Sequence, residues 1–230
     1  EIIIEEYIEG TEHSIEGYVD FDGNVNWIIV SDRRYQDKWK YFPKVIDDGD
    51  DLPSKLPKIV IEKIIKESTK AVRSLGVSFG PVKGDIIVKN NIPYVIEMAT
   101  RFSGDYFCTS VSELFLGKSV LNQFVSYISK IDTNSLKSYS RVSFFYYWIN
   151  KKIQIKSISF IQKLRSKPFI GFVRLEPKFN NIKLGDIIFP EKSSQDKFLS
   201  IAIVNSDDKN IEDLRLEIFE IINKDIHFCE

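Results

Sequence analysis

Cysteine and histidine are scarce in this sequence of 230 residues, which contains two of each. Cys108 and Cys229 have no paired spacing, and no cluster of histidines accompanies them. A disulfide framework needs several paired cysteines, and a structural zinc site needs closely spaced Cys and His ligands. The sequence therefore predicts neither, and we expect a protein of the reducing cytoplasm.

An excess of charge and long apolar runs are also lacking. The counts of Lys+Arg 32 and Asp+Glu 33 give a formal net charge of -1, so no overall field attracts nucleic acid or anionic lipid. No apolar run reaches the roughly 20 residues that a membrane-spanning helix needs. We therefore expect no nucleic acid and no membrane as partners. A hydrophobic content of 43% is enough for a buried core.

Strand, loop and helix patterns follow one another over the first 130 residues. The stretch "DDGDDLPSKLP" is polar and punctuated by proline, which predicts a long loop over residues 31 to 57. Apolar residues at helical spacing predict a helix over residues 58 to 75, and Gly76 stands where its C-terminal cap belongs. The other predicted elements are strands at 1–8 and 14–30, a hairpin within 82–105, and short helices at 106–116 and 118–130 divided by Gly117.

The second half returns to strand patterns after the polar link "IDTNSLKSYS". Strands are predicted at 141–149, 153–161, 169–176 and 199–204, and a last helix at about 210–223. The sequence thus predicts two domains, one over residues 1 to 136 and a small α+β domain over residues 137 to 230.

Two acids, Asp85 and Glu97, interrupt the apolar hairpin "VKGDIIVKNNIPYVIEMATRFSGD". Their separation of twelve residues lets them lie opposite each other on one face if the loop has an odd count, such as Asn90 to Ile92. A two-residue turn at Asn90 and Asn91 would place them on opposite faces. A paired arrangement predicts a hard cation between the carboxylates, whereas the alternative is a salt bridge from each acid to a nearby lysine.

Three ordered motifs, "EIIIEEYIEGTEHSIEGYV", "GPVKGDIIV" and "PYVIEMATRFSGD", resemble the C-terminal half of an ATP-grasp domain, over about residues 1 to 130. The resemblance implies an α+β fold in which an antiparallel sheet with helices is followed by a small α+β C-terminal domain. The stretch "GFVRLEPKFNNIKLGDIIFP" is similar to the small domain that closes many carboxylate-amine ligases.

The resemblance also implies site residues. Glu5 and the backbone of Tyr7 and Ile8 would bind the adenine of ATP, and Glu12 would hold the ribose. Asp85 and Glu97 would ligate Mg²⁺ (or Mn²⁺) that bridges the nucleotide phosphates. The catalytic residue would be Arg101, which would also bind the substrate carboxylate together with the backbone of Ser103 and Gly104.

Other charged residues are weaker candidates. Arg33 and Arg34 open the predicted loop and are candidates for an anionic substrate. Glu9 and Glu16 could extend the acidic site, but they alternate along a strand, a pattern typical of side chains that face water. Ala99 stands where many ATP-grasp proteins have a further metal ligand, an asparagine.

The resemblance implies an ATP-dependent ligase that joins a carboxylate to an amine through an acyl phosphate, with small-molecule substrates. The alternative is a degenerate or isolated half-domain that binds nucleotide or serves as a scaffold without catalysis. The family's strands that carry lysines and its glycine-rich phosphate loop are not in this sequence. We therefore expect a fragment, and we expect it to act together with the missing N-terminal part of the same protein. A homodimer is left open.

Overall fold

The computed structural model describes residues 2–35, 46–190, 197–204 and 211–229. An eight-stranded sheet in the order β5-β4-β1-β2-β3-β6-β10-β8 and a three-stranded sheet in the order β11-β7-β9 form its framework. All of their pairings are antiparallel. The strands are β1 Thr11–Val19, β2 Val25–Tyr35, β3 Asp47–Leu52, β4 Gly80–Lys89, β5 Ile92–Ala99, β6 Val142–Trp148, β7 Ile153–Ile155, β8 Ile170–Leu175, β9 Ile187–Ile188, β10 Lys197–Val204 and β11 Ile226–Phe228.

The helices are α1 Lys58–Ser74, α2 Ser112–Leu116, α3 Val120–Ser129, α4 Phe160–Arg165 and α5 Ile211–Asp225, with a π-helical turn at Phe107–Val111 and a 3-10 turn at Pro177–Phe179. The antiparallel sheet with helices confirms the predicted α+β class. Among the described helices, none combines the length and the apolar character that crossing a membrane requires.

Helix α1 confirms the prediction for residues 58 to 75. Its buried side chains include Val60 and Ile64, which pack against Ile15 and Ile86 of the sheet. Gly76 follows the helix with φ of +70°, a left-handed conformation that glycine adopts at little cost. The helix therefore covers one face of β1, β2 and β4 and leaves the other face for the polar side chains described below.

The predicted loop over residues 31 to 57 is wrong for residues 31 to 35 and 47 to 52, whereas residues 53 to 57 have no regular secondary structure. Strand β2 runs on to Tyr35, and the acidic stretch forms β3, which lies inside the sheet between β2 and β6. The acids are tolerated there because cations meet them: Arg33 pairs with Asp47 at 2.8 Å, and Arg215 of α5 pairs with Asp48 at 2.7 Å. Residues 36 to 45 lie outside the described residues.

Glycine in the middle of β3 allows its neighbour strand to come close. Gly49 has φ of +98°, and a Cβ atom there would lie 2.0 Å from the carbonyl oxygen of Phe144 on β6. Only glycine has both the backbone freedom and the missing side chain that this approach needs. An acidic strand can thus join the centre of the sheet.

The strand predicted over residues 1 to 8 is also wrong. Residues 2 to 9 have no regular secondary structure, and Ile2, Ile3 and Ile4 are more than four-fifths exposed. Strands are stabilised by hydrogen bonds to a neighbour, and no strand in the described part of the chain pairs with this segment. The apolar pattern of this segment fits a strand, but no strand among the described residues forms hydrogen bonds with it.

The hairpin of β4 and β5 differs from the predicted loop but keeps the predicted pairing. Asn90 and Asn91 both have positive φ and form a two-residue turn, so the odd-count loop is wrong. The register then shifts between Asp85 and Ile86, and Ile96 is the extra residue of a β-bulge. Because the bulge adds one residue after the turn, Asp85 still pairs with Glu97.

The second half confirms most of its predicted elements. Strands β6, β8 and β10 and helix α5 lie where the sequence places them, and β6 joins the sheet of the first half through β3. The strand predicted over residues 153 to 161 ends at Ile155, and its last residues begin α4. The predicted boundary between domains at residues 136 and 137 stays a prediction.

Replacing Asn91 by Ala tests the turn that sets the hairpin register. We expect Asn91→Ala to lower the free energy of unfolding by about 1 kcal/mol, because alanine resists the left-handed conformation. Asn91→Gly should not lower it. Urea unfolding measures both, with Asn150→Ala as a control at an exposed asparagine without positive φ. An equal loss for Ala and Gly at position 91 would contradict the role given to the turn.

Candidate functional site

The paired acids of the hairpin have different surroundings. Asp85 receives hydrogen bonds from the Lys83 ammonium group at 3.0 and 3.1 Å and from the Ser14 hydroxyl at 3.3 Å, and it pairs with Arg33 at 3.2 Å. Glu97 is exposed and forms no ion pair with any described residue. The salt-bridge alternative therefore holds for Asp85, by a lysine and an arginine, and not for Glu97.

A cavity of about 180 Å³ lies beside this hairpin on the face of the sheet opposite α1. It contains all three residues predicted to meet the substrate: Arg101, Ser103 and Gly104. These residues follow β5, and the chain then turns at Asp105 into the π-helical turn that forms part of the wall. The other lining residues are Ser14, Arg33, Asp47, Asp50, Lys83, Asp105, Phe107, Phe144 and Tyr146.

Opposite charges pair on most of the cavity wall, but not on all of it. Arg33 is held between Asp47 and Asp85, and several acids, Asp47 first, raise its pKa despite burial, so its cation is fixed. Arg101 is different, because its guanidinium group donates a hydrogen bond to the Phe102 carbonyl and meets no carboxylate within ion-pair distance among the described residues. Its positive charge is thus available to an anionic ligand.

Glu16 lies behind the loop that carries Ser103. Its side chain is fully buried, and one carboxylate oxygen accepts a hydrogen bond from the Ser103 backbone N–H at 3.1 Å. The other oxygen has no hydrogen-bond partner among the described residues. Burial raises the pKa of Glu16 to about 7. The expectation that Glu16 faces water is wrong, because its face of β1 is covered by this loop. Since the Ser103 N–H is already engaged, the amide donors predicted at "FSGD" do not all remain open.

The residues expected to bind the nucleotide lie on an irregular segment and on the strand that follows it. Glu5 and Tyr7 are exposed on the irregular segment of residues 2 to 9, as Ile8 is in part. Glu12 lies on β1 opposite Ile87 and forms a hydrogen bond with the Tyr35 side chain. The structure thus brings together Arg101, Ser103 and Gly104 and pairs the two acids, whereas the adenine side stays a prediction.

Sequence reasoning missed the acids of β3 as site residues. Asp47 and Asp50 reach the cavity because β3 lies beside β2, with Asp50 opposite Arg33. The feature of the sequence that could have indicated them is the dense group of four acids in "DDGDDLP". No group of three or more His, Cys, Asp or Glu side chains suited to a metal ion occurs in the described ranges.

Comparison with known proteins finds a family model that matches the first part of the chain. The family model described as "ATP-grasp domain" matches residues 1–110. No curated protein matches the sequence. Among solved structures, the fold is similar to an L-amino acid ligase from Bacillus licheniformis, with a TM-score of 0.69 and 18% identity over 97% of this chain and 52% of that chain.

A second solved structure, a phosphoribosylglycinamide synthetase from Anaerococcus prevotii, gives a TM-score of 0.68 at 17% identity over 97% of this chain and 54% of that chain. Identities this low show a shared fold. The chain spans about half the length of the solved structures it matches. Residues 1–110 of this chain match the ATP-grasp family model, and the fold agrees with that match.

Proposed function

We propose that this chain is part of an ATP-dependent ligase that joins a small-molecule carboxylate to an amine through an acyl phosphate. The observation that carries the proposal is the cavity in which Arg101, unpaired among the described residues, lies with Ser103 and Gly104 beside the hairpin of Asp85 and Glu97. The similar solved structures include ligases and synthetases, which agrees with this reaction class. We also propose that an upstream part of the same protein completes the site, since the chain matches about half of each such structure.

The hairpin fits a divalent cation in part. Carboxylate oxygens are the ligands that Mg²⁺ and Mn²⁺ prefer, and Mg²⁺ usually takes one or two carboxylates and completes its shell with phosphate oxygens and water. Glu97 has no competing ion pair among the described residues, and Asp85 is kept next to Lys83 and Arg33. Mg²⁺ (or Mn²⁺) held there would neutralise charge on the ATP phosphates. We propose Glu5, Tyr7, Ile8 and Glu12 for the nucleoside side of ATP.

The cavity residues suit the first chemical step. A substrate carboxylate is ionised at neutral pH, so it can attack the γ-phosphoryl group without a general base. Arg101 orients this carboxylate and neutralises the negative charge that develops on the phosphoryl oxygens. Glu16 holds Ser103 in place and so shapes the loop that carries Arg101. An amine then displaces phosphate from the acyl carbon, and the bond between carbon and nitrogen forms.

One observation favours the alternative of a nucleotide-binding or structural module without catalysis. Ala99 offers no metal ligand, and its partner across the hairpin is Lys83, a cation. A second metal ion is therefore disfavoured at this end of the hairpin. Because Asp85 and Glu97 remain paired, this observation limits the number of metal ions and leaves the ligase as the better-supported proposal.

This function is tested by comparing ATP binding and phosphate release between the 230-residue chain and the full-length protein. We expect the full-length protein to release phosphate from ATP only when both a carboxylate and an amine are supplied. The 230-residue chain alone should bind MgATP no more tightly than about 100 μM, near −5.5 kcal/mol, and should show no turnover, because half of the phosphate contacts are absent. Calorimetry and a phosphate-release assay measure these quantities. A full-length protein that binds ATP without turnover over a broad substrate screen would favour the alternative.

A further inference from the structure

Among the described residues, the cavity beside the hairpin has an unpaired carboxyl group, that of Asp50, as well as the unpaired Arg101. Asp50 accepts a hydrogen bond from the Ser31 hydroxyl at 2.8 Å through one carboxylate oxygen. Its other oxygen makes no hydrogen bond, and the carboxylate has no ion-pair partner, within the ranges that the structure describes. The neighbouring Asp47 already pairs with Arg33. Asp50 is therefore a carboxylate on a cavity wall with a free site for a ligand.

Aromatic rings stand next to this carboxylate. Phe144 on β6 is the direct cross-strand partner of Asp50, so the two side chains lie on one face of the sheet about 5 Å apart at Cβ. Phe144 and Tyr146 both line the cavity, with their ring centroids 5.1 Å apart. The Tyr146 ring already meets the Lys197 ammonium group, which lies 3.9 Å from the ring centroid, so Phe144 is the ring left for a ligand. A carboxylate combined with aromatic rings recognises ammonium groups, since the face of a ring attracts a cation.

We propose that the wall formed by Asp47, Asp50 and Phe144 binds the primary ammonium group of a small ligand, with Asp50 as the principal acceptor. The cavity volume of about 180 Å³ holds about six water molecules, so the ligand group that enters is small. A metal ion fits less well, because Asp47 already pairs with Arg33 and one oxygen of Asp50 already accepts the Ser31 hydrogen bond. Given the proposed ligase, on which this step rests, the ammonium group belongs to a substrate.

The protonation of Asp50 agrees with a missing cation. Burial raises the pKa of Asp50 to about 7, and the nearby Asp47 adds to this, whereas Arg33 and the Ser31 hydroxyl act in the opposite direction. A carboxylate that is costly to ionise in the ligand-free protein gains the most from a bound cation. The ligand's ammonium group would supply that cation.

Two sources of the ammonium group are distinguished by titrating the 230-residue chain with simple probes. The chain is labelled with ¹⁵N and kept at pH 8, above the pKa of Asp50, at constant ionic strength. Ethylammonium represents the attacking amine, L-alanine represents an ammonium group on the same molecule as the carboxylate, and propionate has no ammonium group. Tetramethylammonium carries the charge without N–H donors. The readout is the shift of the backbone amide signals of Ser31, Gly49 and Asp50.

We expect ethylammonium or L-alanine to shift these signals until the site is saturated. Propionate and tetramethylammonium should cause no saturable shift. Saturation by ethylammonium assigns the site to the amine, whereas saturation by L-alanine alone assigns it to an amino-acid carboxylate donor. Asp50→Asn should lower the affinity of the chain for the saturating probe at least tenfold. Asp22→Asn, at an exposed acid of the β1–β2 turn, should leave the affinity unchanged.

Three results would overturn the ammonium site: no saturable shift with either probe, an Asp50→Asn variant that binds as tightly as the original chain, or equal shifts with tetramethylammonium. A shift with MgCl₂ alone would also overturn it and assign a metal site instead. Circular dichroism of Asp50→Asn confirms that the variant is folded. The titration uses no nucleotide, so ammonium binding without ATP turnover would count against the ligase and not against this site.

Discussion

Replacing Glu97 by Gln in the full-length protein is expected to lower ATP turnover by at least about 100-fold while the fold survives. Glutamine keeps the shape of the side chain but removes its charge. Glu97 pairs with Asp85 across the hairpin and is exposed, so the substitution should change the stability of the fold very little. The loss should fall on kcat, because charge on the phosphate oxygens develops in the transition state. A phosphate-release assay at saturating MgATP measures it.

Glu220→Gln serves as the matched control, since Glu220 is an exposed acid on α5, distant in sequence from the hairpin. It should keep full turnover. Melting temperatures of both variants should equal that of the unaltered protein within about 1 °C, which separates lost chemistry from lost folding. A Glu97→Gln protein that retains its activity would exclude Glu97 as a metal ligand.

The pairing of Asp85 with Glu97 was predictable from the sequence, but the reason for it was not. Counting residues along regular strands allows only an odd loop to pair the two acids. The structure instead has a two-residue turn with a bulge at Ile96, and the two irregularities together restore the pairing. A bulge depends on how neighbouring strands twist and pack, and it leaves little trace in local sequence.

Strand β3 could not be predicted for a different reason. Its sequence contains four acids and a glycine, all poor strand formers, so local propensity favours a loop. The strand forms because Arg33, Arg34 and Arg215, which come from β2 and α5, neutralise acids of β3. Contacts between residues up to 167 positions apart decide its structure. The place of Asp50 on the cavity wall could not be predicted for the same reason, because it depends on the formation of β3.

Helix α1 and the strands β6, β8 and β10 were predictable because their apolar periodicity and their burial agree. The helix buries Val60, Ile64 and Val72, each at helical spacing, and the cap glycine is in place. The cavity residues Arg101, Ser103 and Gly104 were placed by resemblance to a family and not by periodicity. Their proximity to Asp47 and Asp50 required the fold.

Glu16 should make the stability of the chain depend on pH. Its pKa is about 7 in the folded chain because of burial, against 4.5 for an ordinary glutamate. Between pH 4.5 and pH 7 the folded state therefore holds a proton that the unfolded state has released. The free energy of unfolding falls as the pH rises through this range and is lower by about 3 kcal/mol above it, at about 1.4 kcal/mol for each pH unit.

Glu16→Gln removes this dependence because glutamine does not titrate but keeps an oxygen that can accept the hydrogen bond from Ser103. We expect the unfolding free energy of the variant minus that of the unaltered chain to rise by about 3 kcal/mol between pH 4 and pH 8. Urea unfolding at several pH values measures the difference, with Asp50→Asn present in both proteins because the Glu16 charge also raises the pKa of Asp50. Glu220→Gln should give a difference that does not change with pH. A flat difference for Glu16→Gln would mean that a cation keeps Glu16 ionised in the folded chain.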